Sequence, residues 1–403
     1  MKVVLVCQMF PPESAAGALR TGAMADAFAR AFDLRIVTVE PSYPDPGLFE
    51  RASWQSADRA RGVPVVRAAA FKPHDASLPR RALREIGMSL GLIRRVGAAD
   101  VLVVSTPSMF LAPLGFLKAR AAHARFVWDV RDLTWRYAQE SVPSTGLKRR
   151  LLGQLERVML AVMRRADLVV AATPGLGQVL LEQGVPPERM VTIPNGVARS
   201  VLERWTAAEP RSTGARPRVT YVGLMGYNHG IGILLDVARL LPEMDVVLVG
   251  DGPERPRIEE RLRREPVSNL TLAGYVTDPA ELDRHYRASD VLVNHTQDAP
   301  ILNRIVNPAK MFEYFATGRP VVYAGHGFAA SFLGERDLAE IVPPNDPPAL
   351  AAGIRRVLAD PQRALERSAR ARRMIEAEFT REAQMEALVT EMKRRFAGAE
   401  AAQ

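Results

Sequence analysis

Three stretches of the chain carry residues whose types and spacing suit phosphate and ribose chemistry. In Asn307-Pro308-Ala309-Lys310-Met311-Phe312-Glu313-Tyr314-Phe315-Ala316-Thr317-Gly318-Arg319-Pro320-Val321-Val322 a lysine and a glutamate stand three apart. On a helix that spacing puts both on one face. Pro308 fits the first helical turn, so Lys310 falls near the N-terminal end, where the helix dipole disfavours a cation. A bound diphosphate would reverse that penalty, and Glu313 would accept hydrogen bonds from ribose hydroxyls. The plainer alternative is a surface Lys–Glu pair.

The second stretch, Val222-Gly223-Leu224-Met225-Gly226-Tyr227-Asn228-His229-Gly230, follows an apolar run and opens a predicted helix over Ile231 to Leu241. Glycines 223, 226 and 230 would let backbone approach an anion, and helix N-terminal N–H groups favour phosphate. A simple tight turn is the alternative, and for His229 loop structure competes with phosphate contact. The third stretch, Val249-Gly250-Asp251-Gly252-Pro253-Glu254, suits a turn under a nucleobase or a purely structural one. Neither glycine pattern matches the dinucleotide fingerprint or the P-loop, so NAD binding and ATPase chemistry lack support.

All three follow short apolar runs, which points to the elements that position them. In the second half these runs are 218–222, 245–249, 270–273, 291–293, 320–323 and 340–342, most separated by helical periodicity. The first half repeats the alternation at 2–7, 34–39, 101–104, 125–130, 167–171 and 191–194, with a long amphipathic helix over 147–165. Alternating strand and helix predicts two doubly wound α/β domains. Ligands of such sheets bind beyond the carboxyl ends of the strands. A polar, Pro/Gly-containing stretch over 209–217 reads as a linker. The chain is predicted to divide into residues 1–200, residues 201–375 and a helical tail, 376–403, that crosses back to the first domain.

Together these segments resemble the retaining GT-B glycosyltransferases of family four, over nearly the whole chain. Ile193-Pro194-Asn195-Gly196-Val197 is similar to that family's inter-domain segment, and Val249 to Glu254 to its V-G-D-G-P-E. Gly274-Tyr275-Val276, Tyr286 to Val291 and Lys310 to Val322 match further motifs in the same order. Trp128-Asp129-Val130-Arg131-Asp132-Leu133 is closest to a segment of bacterial polysaccharide and O-antigen enzymes that transfer N-acetylated aminodeoxysugars. The resemblance implies two Rossmann-like domains facing a cleft: the first binds the acceptor, the second a nucleotide sugar, most simply a UDP-sugar. On the donor side it implies Gly223, Gly226, Gly230, Gly250, Asn307, Ala309, Lys310 and Glu313; on the acceptor side Gly17, Arg131 and Asp132. Lys310, His229 and Asp132 are the candidate catalytic groups. For Arg131 and Asp132 a buried salt bridge holding the first domain together is the competing reading.

The implied reaction is retaining transfer of a hexosyl or N-acetylhexosaminyl group to a polysaccharide-precursor, lipid-linked or small-molecule acceptor. The departing diphosphate takes the acceptor proton, while Lys310, the Ala309 amide and the Gly226–Gly230 loop stabilise its charge. No cofactor and no metal are expected, since no cluster of metal-ligating residues stands at ligand spacing. Three positions depart from the family pattern: Ile305 stands where a second glutamate is usual, Leu224, Met225 and His229 where the loop often has an arginine, and Ser105-Thr106-Pro107-Ser108 where a histidine is common. Those departures keep a non-catalytic nucleotide-sugar-binding scaffold as the alternative.

Composition sets the remaining bounds. The 403 residues are 47% hydrophobic and 25% charged, with a net charge of +9, which suits an anionic partner. Aromatic residues are only 6% and no nucleic-acid-binding motif appears, so nucleic acid is not the expected partner. The single cysteine, Cys7, lies in an apolar run and reads as a buried strand residue. No signal peptide and no apolar run of membrane-spanning length are seen, which predicts a cytoplasmic protein. Basic residues Lys72, Arg80, Arg81, Arg84, Arg94 and Arg95 interleave with Leu83, Ile86, Leu90 and Ile93 at helical spacing. That pattern predicts either an amphipathic helix on an anionic membrane surface or a solvated face over a core stripe.

Overall fold

The β-branched runs and helical periods assemble into two separate parallel sheets. The computed structural model describes residues 1–43, 45–69, 78–136, 146–205, 216–276, 278–306 and 309–396. The chain divides into a unit formed by Met1–Asn195 with the segment from Arg381 onward, and a second unit, Gly196–Thr380. Asn307, Pro308, Lys72 and most of the 209–217 stretch lie outside the described residues.

The first unit holds seven strands: β1 (Lys2–Cys7), β2 (Asp33–Val39), β3 (Val65–Ala68), β4 (Val101–Ser105), β5 (Arg125–Val130), β6 (Leu168–Ala171) and β7 (Met190–Thr192). Their order is β3-β2-β1-β4-β5-β6-β7, all parallel. The order reverses between β1 and β4, the switch point at which loops diverge and a crevice opens. β3 is absent from the sequence-based reading. It is a short edge strand after Gly62-Val63-Pro64, and only its Ala68 is fully buried, so it lacks the apolar run of a central strand.

The second unit holds β8 (Arg218–Val222), β9 (Asp245–Val249), β10 (Leu270–Gly274), β11 (Val291–His295), β12 (Val321–Ala324) and β13 (Glu340–Val342). All six correspond to predicted runs. The order is β10-β9-β8-β11-β12-β13, with the switch between β8 and β11. β8 pairs with β9 along its whole length, Arg218 through Val222, but with β11 only at Val219 and Thr220. The sheet is therefore split at the carboxyl end of β8.

The helical tail is two helices rather than one. Pro361–Glu378 ends at Phe379, and Arg381–Phe396 follows after a break at Phe379-Thr380. The first packs on the Ala309–Ala316 helix of the second unit. The other packs on the Ala16–Ala31 helix of the first unit, where Met385, Leu388 and Met392 join a core with Leu5, Phe28 and Ile36. Leu388 is wholly buried there. Leu388→Ala should cost about 2–5 kcal/mol through lost transfer energy and a cavity. Thermal and urea unfolding followed by probes in each unit should show the transition of the first unit moving down and that of the second unit holding.

Candidate active site

One side chain explains why β8 and β11 part. The Gly223 N–H donates to the Val249 carbonyl on β9. Backbone groups of successive strand residues face opposite neighbours, so Val222 faces β11. A buried N–H and C=O there must find partners. Both find the Tyr314 hydroxyl, which accepts from Val222 N at 2.8 Å and donates to Val222 O at 2.8 Å. Tyr314 lies in the Ala309–Ala316 helix and is completely buried. Its phenol stands where the ladder to β11 would otherwise continue.

The same helix delivers Lys310. The amine runs across the Tyr221 ring, 4.4 Å from the centroid, and donates to the Tyr221 hydroxyl at 2.5 Å. The phenol in turn donates a hydrogen bond to Leu224 O at 2.5 Å. Burial pulls the Lys310 pKa from 10.5 down to about 7, against a smaller opposing pull from Glu313. A Cβ at Gly223 would stand 2.9 Å from Lys310 Nζ, so only glycine leaves the amine its place. Glu313 lies on the same helix, half-buried like Lys310.

Around this amine the glycine loop is tightly tied. Met225 N donates to Asp251 O and Glu254 N to Met225 O. Gly250, at φ +134°, passes so close to the Gly223 carbonyl that a Cβ would collide with it. Gly226 is buried beside Leu224 and His229. Gly230 is left-handed at φ +53°, and the Gln297 carboxamide fills the space its missing side chain leaves. The helix beyond runs from Ile233 to Leu240, starting two residues later than predicted because of this turn. The Ile231 N–H, which the sequence offered to a phosphate, is taken by the buried Glu254 carboxylate at 3.1 Å. Burial raises the pKa of that carboxylate.

His229 has a pKa well below 6.5, first through burial and then through the Lys310 charge. Its Nδ1 is buried with no hydrogen-bond partner. It is a neutral imidazole and offers a hydrogen bond rather than a charge. The His229 carbonyl accepts from His295 Nδ1 at 2.5 Å, and His295 Nε2 accepts from Asn345 N at 3.1 Å. These two bonds set the His295 tautomer. Ile305, where the family pattern has glutamate, is a packed apolar side chain with 5% exposure.

The first unit has its own polar cluster at the carboxyl ends of its strands. Arg20, on the Ala16–Ala31 helix, pairs with Asp129 of β5 at 2.7 Å, with side chains 2% and 0% exposed. Asp129 also accepts from Ser105 Oγ at 2.7 Å, and Arg20 Nη1 reaches Pro194 O and Asn195 Oδ1, each at 3.3 Å. This buried pair takes the role that the sequence reading weighed for Arg131 and Asp132. The Arg131 guanidinium instead lies against Gly17, where a Cβ would overlap it, and its polar contacts are long: 3.5 Å to Thr106 O and 4.0 Å to Met9 Sδ. Burial lowers the Arg131 pKa, with Asp132 and Asp129 opposing. Asp132 is exposed and accepts from Thr134 Oγ1 at 2.5 Å.

Known proteins match this arrangement half by half. Residues 16–196 match the "Glycosyl transferase 4-like domain" family model, and residues 216–360 match "Glycosyl transferases group 1". The chain is a group 1 glycosyltransferase. Glycogen synthase of Mycobacterium tuberculosis is 24% identical to it over 406 residues, covering 94% of this chain and 91% of the relative. Sulfoquinovosyl transferase SQD2 of Arabidopsis thaliana is 29% identical over 180 residues, 43% of this chain and 33% of that protein. Among solved structures, sucrose-phosphate synthase from Thermosynechococcus elongatus superposes with a TM-score of 0.74 at 20% identity, over 99% of this chain and 100% of that one. Anabaena HepE in complex with UDP-glucose gives 0.68 at 16% identity, over 97% and 99%. The fold of the transferase is GT-B, with two Rossmann-like domains of seven and six parallel strands.

In the second unit of the transferase, Gly223, Gly226, His229, Gly230, Gly250 and Lys310 gather at the β8/β11 switch, with Ala309 opening the Lys310 helix. Gly17, Arg131 and Asp132 belong to the first unit. Tyr314, Tyr221 and Gln297 were missed as working residues, and so was the Arg20–Asp129 pair. Among the described residues no helix is long and apolar enough to cross a membrane. Tyr314→Phe keeps the ring but strands the Val222 N–H and C=O in the interior. It should cost about 2–6 kcal/mol, since each of the two buried unsatisfied groups costs roughly 1–3. Urea unfolding measures the loss, and amide exchange at Val222 should accelerate.

Proposed function

We propose that this transferase moves a hexosyl or N-acetylhexosaminyl group from a UDP-sugar, with retention, to a polysaccharide-precursor, lipid-linked or small-molecule acceptor. The observation that carries the reading is Lys310, a desolvated amine held over Tyr221 at the split sheet end, on one helix with Glu313. A diphosphate is the ligand chemistry that repays its desolvation. In this reading Lys310 takes the diphosphate and Glu313 the ribose, and Ala309 N–H, Gly223, Gly226, Gly230, Gly250 and Asn307 complete the donor contacts. Neutral His229 donates a hydrogen bond to a phosphate oxygen. Gly17, Arg131 and Asp132 face the acceptor. The leaving diphosphate collects the acceptor proton on the same face, and the positive charge of Lys310 does work that a metal does elsewhere. Support comes from HepE, solved in complex with UDP and with UDP-glucose, and from the relatives, which are sugar transferases and synthases. A lipid-linked acceptor would hold the protein at the inner face of a membrane.

Lys310→Ala removes a charge-assisted contact worth on the order of 1.5–3 kcal/mol, so UDP affinity should fall about ten- to a hundredfold by calorimetry. Glu313→Gln should weaken UDP itself and not only the sugar. If both variants bind UDP like the parent, the pair is a surface feature and the reading fails.

The Lys310 titration gives a second test. The amine is half-charged near pH 7 without ligand, and a diphosphate favours its charged form and so raises its pKa. Below pH 7 the proton is already present and its contribution to binding is level with pH. Above pH 7 binding must take up a proton, so that contribution falls with rising pH, by up to about tenfold per unit. Calorimetry at pH 8 in buffers of different ionisation heat should show the parent taking up close to one proton more than Lys310→Ala. Equal uptake by the two would remove Lys310 from the diphosphate.

A further inference from the structure

Ala/Leu/Arg-rich helices form one layer of the first unit. Three helices pack side by side there: Leu78–Ile93 on Leu111–Ala121, and Leu111–Ala121 on Leu147–Arg165. The apolar stripe read from the sequence on the first helix is mostly turned inward. Ile86, Leu90 and Ile93 are half-buried, and Ile93 reaches Gly115 of the neighbouring helix. Only Leu83 points outward, at 70% exposure. The outer surface is instead shared among all three helices. Leu117 is 63% exposed, Leu151 60% and Val158 48%.

Charge on this face has one sign. Arg80, Arg84, Arg120, Arg150 and Arg157 are exposed and Lys118 is half-buried. The three helix sequences contain only two carboxylates, Glu85 and Glu156. Both are half-buried and engaged: Glu85 accepts from Ser108 Oγ and Met109 N, and Glu156 from Arg136 Nε at 2.6 Å. On the longest helix Arg150, Leu151, Gln154, Arg157 and Val158 recur at one exposed face, with Met159, Val162 and Met163 on the buried side. Arg120 is tied to Asp167 at 3.4 Å; the other arginines stand among aliphatic side chains on helices whose two carboxylates are engaged elsewhere, which matches a surface of negative headgroups over hydrocarbon. A nucleic acid would use the cations and aromatic faces and gain nothing from leucine and valine.

We propose that this three-helix face docks the protein on an anionic lipid bilayer, with Leu83, Leu117, Leu151 and Val158 entering the headgroup boundary and the arginines ringing them. Docking needs no sugar transfer, so it stands or falls apart from the donor reading.

The test is co-sedimentation of the full chain with vesicles of phosphatidylcholine alone and with phosphatidylglycerol added, at low and high salt. The parent should bind the anionic vesicles, and bind them less at high salt. Arg84→Gln/Arg150→Gln/Arg157→Gln should weaken binding about a hundredfold, at about fivefold per arginine. Leu117→Gln/Leu151→Gln/Val158→Gln keeps every charge and should weaken it about tenfold or more. Both triple variants change exposed positions and should melt with the parent and bind UDP like it. Absent binding by the parent overturns the proposal. So does an aliphatic variant that binds vesicles normally, which would leave a merely charged surface. Duplex DNA bound more tightly than vesicles, by parent and aliphatic variant alike, would assign the face to nucleic acid instead.

Discussion

The Tyr314 hydroxyl supplies both a donor and an acceptor to one strand residue, and the second unit is arranged around that substitution. A phenol in place of a neighbouring strand closes the hydrogen-bond account of Val222 without closing the sheet. The crevice it leaves is where the Gly223–Gly230 loop turns and where the Tyr314 helix can aim Lys310 across Tyr221. The switch point of a doubly wound sheet predisposes to such a gap, but a gap with stranded backbone groups would cost stability at every such group. The first unit meets a similar demand differently. There the Arg20–Asp129 pair, with Ser105 and Asn195, fills the ends of β4 and β5 with charge that is fully hydrogen-bonded. A pair this buried is costly to break from one side, because the remaining charge is left without compensation.

The electrostatics around Lys310 are those of a site poised for an anion. The amine is desolvated, its nearest imidazole is neutral, and Glu313 offsets only part of the burial, while Glu254 is committed to the Ile231 N–H. The helix N-terminus after Gly230 therefore contributes less than the sequence suggests, and the side-chain amine more. Gln297, laid into the notch at Gly230, adds a carboxamide to the same loop from the far side of the sheet split.

Much of this was legible in the sequence, for identifiable reasons. Strands β8, β9, β11 and β12 of the second unit are buried along nearly their whole length and read as mainly apolar runs, while the partly exposed β10 and β13 still carry aliphatic residues. Lys310 and Glu313 stand out because charges at helical spacing are conspicuous in an otherwise apolar helix. Tyr314 sits in the same segment and escaped notice, since a tyrosine among Met311, Phe312 and Phe315 reads as core until its partner, 92 residues away, is known. Arg20 escaped for the same reason: its partners lie 109 and 175 positions along the chain. β3 and the break at Phe379-Thr380 are set by tertiary pairing. Val197 N donates to Phe379 O, and Val197 bridges Thr380. Local periodicity carries neither signal.

The burial that lowers the Lys310 pKa also changes its reactivity. At pH 7 about half of its molecules carry a neutral, nucleophilic nitrogen, whereas an ordinary lysine is neutral in roughly one molecule in a few thousand. The chain leans so heavily on arginine that Lys2, Lys72, Lys118, Lys148 and Lys393 are its only other lysines. Amine-directed electrophiles at neutral pH therefore meet one privileged side chain, at the split sheet end of the second unit. A phosphate-bearing aldehyde would be drawn there by charge and held by imine formation. The residue that anchors the site is thus also a natural point for covalent labelling of the protein.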